Sequence, residues 1–309
     1  MAINKVLVVG ATGHLGRHFV PALRKAGKQP ILLVRPETIQ TKDSAKRALL
    51  EGFVTQGARI LPGSIDDPTS MERACAEADA VISTVTATLA QQPALAAAAK
   101  KSGRIQRFIP SEFGVDPRLE PGACTLLDWK AALQPVFAAT GIPLTYVYSN
   151  GFASYWAAGL GQLGLTSPPR EQINVYGEGN TKVAIVVCED IARSTVLMLD
   201  DARTENRHVA YLPKDNLVSQ NEMIAHWEKT AALQLKRNSV PASALDVAIK
   251  ELTGKPERMM ELIYTQLTRA AWILGIGSRK QPDALEITEL YPDFKFERPT
   301  TYLDRFLKN

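Results

Sequence analysis

Cysteine is scarce: only Cys75, Cys124 and Cys188, far apart and without a CxxC pair. An odd, dispersed set excludes a disulfide framework, gives no zinc-ligand spacing, and suits buried, reduced thiols in a cytoplasmic protein. Histidine is equally sparse, with four residues. His14 and His18 fall in or beside a glycine loop, His208 stands without a ligand pattern, and the Glu222–His226 pair reads as an ordinary helix-surface contact. No metal is therefore expected. No apolar run approaches the roughly 20 residues of a membrane helix, and the first strand starts almost at Met1, where a signal peptide would have no room. The net charge of +4 is scattered, and no Lys/Arg block is interleaved with the 7% aromatic residues. Nucleic acid and membrane are thus not expected partners. GxSxG, HExxH and P-loop signatures are missing, which removes support for phosphoryl transfer and metal hydrolysis. What remains, at 45% apolar and 22% charged over 309 residues, is the composition of a soluble globular protein with a substantial core.

The most informative stretch is KVLVVGATGHLGR, Lys5 to Arg17. A short apolar strand, Val6 to Val9, runs into Gly10, Gly13 and Gly16 and then into a helix predicted over 14–26. Glycine is needed where the turn is tight and backbone N–H groups approach a pyrophosphate closely. The helix start adds a positive end. The loop Gly10, Ala11, Thr12, Gly13, His14, Leu15 and Gly16 is therefore the expected dinucleotide site. A second strand, Gln29 to Val34, ends at Arg35. At this place an acidic residue would receive a ribose 2′-hydroxyl, whereas an arginine accommodates a 2′-phosphate. No carboxylate is expected to compete with Arg35, so NADPH is favoured over NADH. Lys42, Lys46 or Arg47 could add charge to the same phosphate, with a solvated helix face as the alternative for each.

Alternation continues with helix 43–56, strand 59–61, helix 68–77, strand 80–85, helix 91–102, strand 106–110, helix 124–139 and strand 144–148. Apolar strands alternating with helices predict an α/β fold, a Rossmann-type doubly wound parallel sheet. Ligands then lie beyond the carboxyl ends of the strands. The expected rim is Gly10–Gly16, Arg35, Ser83–Thr88, Ser111–Gly114 and Ser149–Phe152. Within it Thr84, Ser111, Phe113, Asn150 and Phe152 are assigned to the cofactor, and Glu112 and Gly114 to the substrate. From about 151 the rhythm breaks. Strands 173–176 and 182–187 flank the turn Gly177–Asn180 and read as a hairpin, with distant strand partners as the alternative. Helices follow at 190–199, 219–232 (Ser219 and Glu222 forming a capping box), 241–252, 256–273 and 300–307. The division expected is an NADP-binding domain over 1–150 and a smaller α+β substrate lobe over 151–309, with interleaving of the chain left open.

Hydride chemistry needs a proton donor or acceptor beside the cofactor. A Tyr-x-x-x-Lys match at Tyr291 and Lys295 contains Pro292, lies far from the Rossmann half and is read as coincidence. Lys130, in TLLDWKAAL, is the better candidate. Its helix is mostly apolar, and burial would lower the pKa of the amine. A lysine snorkelling at a helix edge is the alternative. Pro135 implies a kink or break one turn later.

GATGHLGRH (10–18), AKRALLEGF (45–53), RFIPSEFG (107–114), GIPLTYVYSNGFASYW (141–156), GEGNTKVAIVVCEDIA (177–192) and ELYPDFKF (289–296) together carry a resemblance. By these segments the chain resembles, nearly end to end, the isoflavone reductase-like enzymes. These are the phenylcoumaran benzylic ether and pinoresinol–lariciresinol reductases, within the NmrA-like atypical short-chain reductases. The resemblance implies that Gly10–Gly16 hold the pyrophosphate, that Arg35 and Lys46 hold the 2′-phosphate, and that Lys130 is the catalytic lysine. In the family that lysine takes the proton of a para-phenol; the phenolate expels a benzylic ether oxygen, and NADPH delivers hydride to the benzylic carbon. The implied partner is a small phenolic substrate, with Tyr155, Trp156 and Trp272, beside Phe152, as an aromatic wall and core packing as the alternative. A homodimer is left open. Two departures stand out. Gln134 occupies a position, four after the lysine, where many members carry a basic residue, and 264–275 lacks the family's substrate-contacting histidine. They leave room for another small carbonyl or quinone substrate, or for a regulator that senses NADP(H).

Overall fold

The computed structural model describes residues 3–85 and 89–308, so residues 86–88 of the expected rim lie outside the description. The chain divides into two compact units: Met1–Phe113, Ala132–Val147 and Cys188–Val209 in unit 1, and Gly114–Ala131, Tyr148–Val187 and Ala210–Asn309 in unit 2.

In order the elements are β1 (Lys5–Val9), α1 (Phe19–Lys25), β2 (Gln29–Val34), α2 (Pro36–Ile39), α3 (Ser44–Thr55), β3 (Arg59–Pro62), α4 (Pro68–Ala76), β4 (Ala80–Ser83), α5 (Gln92–Ser102) and β5 (Arg107–Ile109). Then come α6 (Thr125–Ala138), β6 (Thr145–Tyr148), β7 (Gly151–Phe152), β8 (Gln172–Tyr176), β9 (Lys182–Val186), α7 (Cys188–Leu197), β10 (Arg207–Ala210), β11 (Leu217–Ser219), α8 (Gln220–Thr230), β12 (Lys236–Val240), α9 (Ala242–Leu252) and α10 (Met259–Trp272). Pro299–Asp304 is a last short α-helix.

Unit 1 is built on a five-stranded parallel sheet in the order β3-β2-β1-β4-β5. Val6 to Val9 and Pro30 to Val34 are buried at every position. Such continuous burial is what helices on both faces require. The helix expected over 14–26 starts later, as a 3₁₀ turn at Gly16–His18 followed by α1 from Phe19. Pro21 gives the reason: it has no N–H to donate to Arg17, and it is tolerated only in a first turn. Arg107 is the polar knot of this unit, 1% exposed. Its Nη1 donates to Thr145 Oγ1, Thr204 Oγ1 and the Met198 carbonyl at 2.8–3.0 Å, and its Nη2 to Glu205 at 2.9 Å. It thereby ties β5 to β6 and to the segment after α7, which itself packs on α1.

In unit 2 the expected hairpin does not form, and the alternative of distant partners does. β8 pairs in parallel with β12, while β9 pairs with β11 antiparallel and with β7 in parallel. The Gly177–Asn180 turn is there, but it joins strands of different sheets. Ile173, Val175, Val183 and Ile185 from these strands meet Trp227 and Trp272 in one apolar core. A second cluster packs Cys124 and Leu127, at the start of α6, on Ile263 and Ala270 of α10. Pro135 does not break α6, which continues to Ala138 and absorbs the loss of one backbone bond. Ser219 and Glu222 form the expected capping box. Among the described residues no helix is long and apolar enough to cross a membrane, and no His/Cys/Asp/Glu group could hold a metal. The three cysteines are buried and form no disulfide, and burial pushes the Cys75 thiol up to about 12.

Candidate active site

Unit 1 supplies the glycine loop where β1 ends. Gly10 has φ +90°, and a Cβ there would lie 2.7 Å from the Thr84 hydroxyl. At Gly16 a Cβ would fall 2.1 Å from the Gly10 carbonyl oxygen. Gly13 N–H closes the turn on that same carbonyl at 2.8 Å, and Thr84 Oγ1 donates to the Val9 carbonyl at 3.0 Å. The loop thus folds back on the ends of β1 and β4, closer than any side chain allows. Ala11 and Leu15 point into the core while Gly13 is exposed. This cradle, which a Cβ would fill, fits a dinucleotide pyrophosphate. Burial, followed by the charges of Arg17 and His18, holds the His14 pKa below the usual imidazole range, with Glu189 opposing. His14 is therefore neutral at pH 7 and adds no charge to the loop.

Arg35 closes β2 with its side chain 63% exposed and Nε 3.4 Å from Glu37 Oε1. A carboxylate does accompany this arginine, contrary to the sequence expectation. The short helix α2, begun by Pro36, brings Glu37 back beside it. So exposed a pair is worth little in water, and the guanidinium stays available to a phosphate. Lys46 is exposed in the first turn of α3, whose start is capped by Asp43. At the end of β5 Ser111, Glu112 and Phe113 are buried. Phe113 packs on Phe19 with ring centroids 5.8 Å apart. The Gln134 amide reaches Glu112 Oε1 at 3.4 Å, and the Gln134 carbonyl accepts from Tyr146 at 3.1 Å. The residue that departs from the family pattern is thereby part of a buried polar group.

Unit 2 carries Lys130. It sits in the second turn of α6 and is 6% exposed. The helix start is fixed twice: Thr125 N–H donates to Gln266 of α10 at 3.0 Å, and Asp128 accepts from Gly122 N–H at 2.9 Å. The Lys130 charge opposes, without reversing, the upward shift that burial gives the Cys124 thiol. Snorkelling at a helix edge is thus not what the lysine does. Asn150 is buried at φ +56°, a left-handed conformation that asparagine tolerates. Its Nδ2 donates to the Tyr211 carbonyl at 2.8 Å, and its N–H to the Gly114 carbonyl at 3.0 Å. Phe152 and Tyr155 stack with centroids 5.8 Å apart, and Tyr155 is 43% exposed. Trp156 meets Trp272 edge-on at 5.7 Å. Trp272 itself is 1% exposed, with its indole N–H on the Gly161 carbonyl at 2.9 Å. For this residue core packing, the alternative left open by the sequence, accounts for the ring. Lys295 is exposed in a non-helical stretch, so no helical Tyr-x-x-x-Lys turn exists there.

Sequence reading missed Gln220, which is fully buried and contacts three backbone groups. It reads as a helix-surface residue because its capping neighbours Ser219 and Glu222 dominate the local pattern. The Asn150 conformation did leave a signal, the Asn150-Gly151 pair.

The chain matches the NmrA-like family over residues 3–303. A phenylcoumaran benzylic ether reductase of Pinus taeda is 36% identical over 311 residues, 98% of this chain and 99% of the relative. Pinoresinol reductase 1 of Arabidopsis thaliana is 34% identical over 315 residues, 98% of this chain and 97% of its own length. The structure of AtPrR2 with NADP+ and (+)pinoresinol superposes with TM-score 0.88 at 33% identity, over 99% of both chains. The binary complex of leucoanthocyanidin reductase and NADPH from Vitis vinifera superposes with TM-score 0.87 at 29% identity, over 99% of this chain and 100% of that one.

Proposed function

The chain belongs to the NmrA-like family and is an NADPH-dependent reductase, and on that premise we propose that it reduces the benzylic carbon of a phenolic ether of the lignan or phenylpropanoid kind. The buried amine of Lys130 carries this reading. NADPH supplies the hydride when bound. Gly10–Gly16 take its pyrophosphate, and Arg35 with Lys46 its 2′-phosphate. Lys130 accepts the proton of a para-phenol at Nζ, and the resulting phenolate drives out the ether oxygen at the benzylic position. The departing oxygen takes up a proton from Nζ, and the benzylic carbon of the quinone methide would receive the hydride, its phenolate then taking a proton from water. Tyr155 and Trp156, beside Phe152, offer aromatic surface to the substrate.

The test is NADPH oxidation with pinoresinol or dehydrodiconiferyl alcohol by the wild type and by Lys130→Ala. Turnover should fall by about 10²–10⁴-fold while NADPH binding is kept. Undiminished turnover in the variant ends the assigned role. The histidine missing from 264–275 favours a second reading, reduction of another small carbonyl or quinone. A substrate panel with activity on ethers alone excludes it.

A further inference from the structure

Between Trp156 and Gln162 the chain of unit 2 folds into consecutive tight turns that no regular element supports. Leu160 has φ +50° and Gly161 φ +89°. A non-glycine residue in this region is strained and is held there by its surroundings. The surroundings here are two buried side chains. Gln220 Nε2 donates to the Leu160 carbonyl at 3.0 Å and to the Asn174 carbonyl at 2.7 Å, and Gln220 Oε1 accepts from Tyr176 N–H at 3.0 Å. Both donors and the acceptor of one carboxamide are therefore engaged. The Trp272 indole holds the next carbonyl, that of Gly161. Gln162 then reaches over to accept from Asn174 N–H at 3.1 Å.

These bonds have a common effect. They close the edge of β8 away from β12 with side chains rather than with a strand. Along that edge lies a recess of about 420 Å³, lined by Gln162, Leu163, Pro169, Ile173, Asn174 and Tyr176. The volume falls within the range of small-molecule sites, and no charged side chain lines it. The Tyr176 hydroxyl hydrogen-bonds the Asn174 side chain, and with the amides of Gln162 and Gln172 this pair faces the apolar Leu163, Leu165, Pro169 and Ile173.

We propose that Gln220 is a positioning residue for substrate. It fixes the turn at Leu160–Gly161 against β8, and so shapes a recess that receives an uncharged aryl ring of the phenolic substrate. The proposal rests on the functional reading above, but its test separates the two.

The wild type, Gln220→Met and Trp272→Phe are compared by turnover and by calorimetric binding of pinoresinol and dehydrodiconiferyl alcohol in the presence of NADP+. Methionine keeps the length of the side chain and removes all three bonds. Gln220→Met should raise KM and the dissociation constant for pinoresinol about ten-fold, as loss of one to two net hydrogen bonds would. Its kcat should stay within about two-fold and its NADPH affinity should not change. Trp272→Phe, which loses only the bond to Gly161, should shift KM in the same sense and less; it carries the test if Gln220→Met does not fold. Unchanged KM, or a parallel loss of NADPH and ether binding, overturns the positioning role. A wild type that binds neither ether overturns the recess as a substrate site. Binding without turnover overturns the proposed reaction and leaves the role of Gln220 to be read from the dissociation constants.

Discussion

Unit 1 and unit 2 satisfy their backbones by different means. In unit 1 five parallel strands pair with neighbours in regular register, and the buried side chains of Arg107 and Lys28 add long-range polar bonds to them. Unit 2 has strands of two to five residues, and buried amides complete what its ladders leave open. Asn150 serves Tyr211, Asn216 serves Ile185 and Glu297, and Gln220 serves Leu160, Asn174 and Tyr176. A ladder tolerates many side chains, because the bonds belong to the main chain. An amide clamp tolerates few, but it can hold a turn in a shape no regular element offers.

This contrast can be broken at several points. The largest effect should come from the buried Arg107 clamp in unit 1. Arg107→Met removes the donor shared by Thr145, Thr204, the Met198 carbonyl and Glu205 and should cost about 3–5 kcal/mol of stability, read as a lower midpoint in urea unfolding. The KM for ether in the protein that remains folded should not move. A selective change in ether KM would show that unit 1 also shapes substrate preference. Next comes Arg35→Ala. A charge-assisted contact is worth about 1.5–3 kcal/mol, so NADPH affinity should fall ten-fold or more while NADH affinity holds. Equal losses for the two nucleotides would remove Arg35 from the phosphate. The smallest effect concerns His14. Its pKa is lowered in the fold, chiefly by burial, so the unfolded chain takes up a proton at a higher pH than the folded one does. Stability present above the usual imidazole pKa is therefore lost as pH falls through that value toward the lower, folded one. His14→Gln should flatten this part of a stability–pH profile; an unaltered slope would assign the titration to another group.

The two units also differed in how much of them the sequence disclosed. The span Gln29–Val34 was read to the residue, and every helix expected between 43 and 102 is present within two residues at each end. Continuous apolar runs flanked by caps such as Asp43 and Asp67 carry local signals strong enough for that. Pro21 delayed α1, and Pro36 started a short helix that put Glu37 beside Arg35; both depend on backbone detail that periodicity does not encode. In unit 2 the turn at 177–180 was legible, but its hairpin was not. Strand choice there was decided by Lys236–Val240 and Leu217–Ser219, distant in sequence and too short or polar to announce themselves. Among the candidate residues, an apolar helix suits a buried lysine and a snorkelling one equally, and the packing of Lys130 at 6% exposure separates the two. Gln220 carried no signal, because a glutamine at a helix start looks the same whether it faces water or the core.

The chain passes between the two units five times, and this governs how the protein can be dissected. No single truncation releases either unit whole. A fragment ending near residue 150 would lack α7, which packs on α1, and would deprive Arg107 of its acceptors Met198, Thr204 and Glu205. Laboratory attempts to graft unit 1 onto another scaffold must therefore carry residues 188–209 along, through a linker that replaces the excised segment.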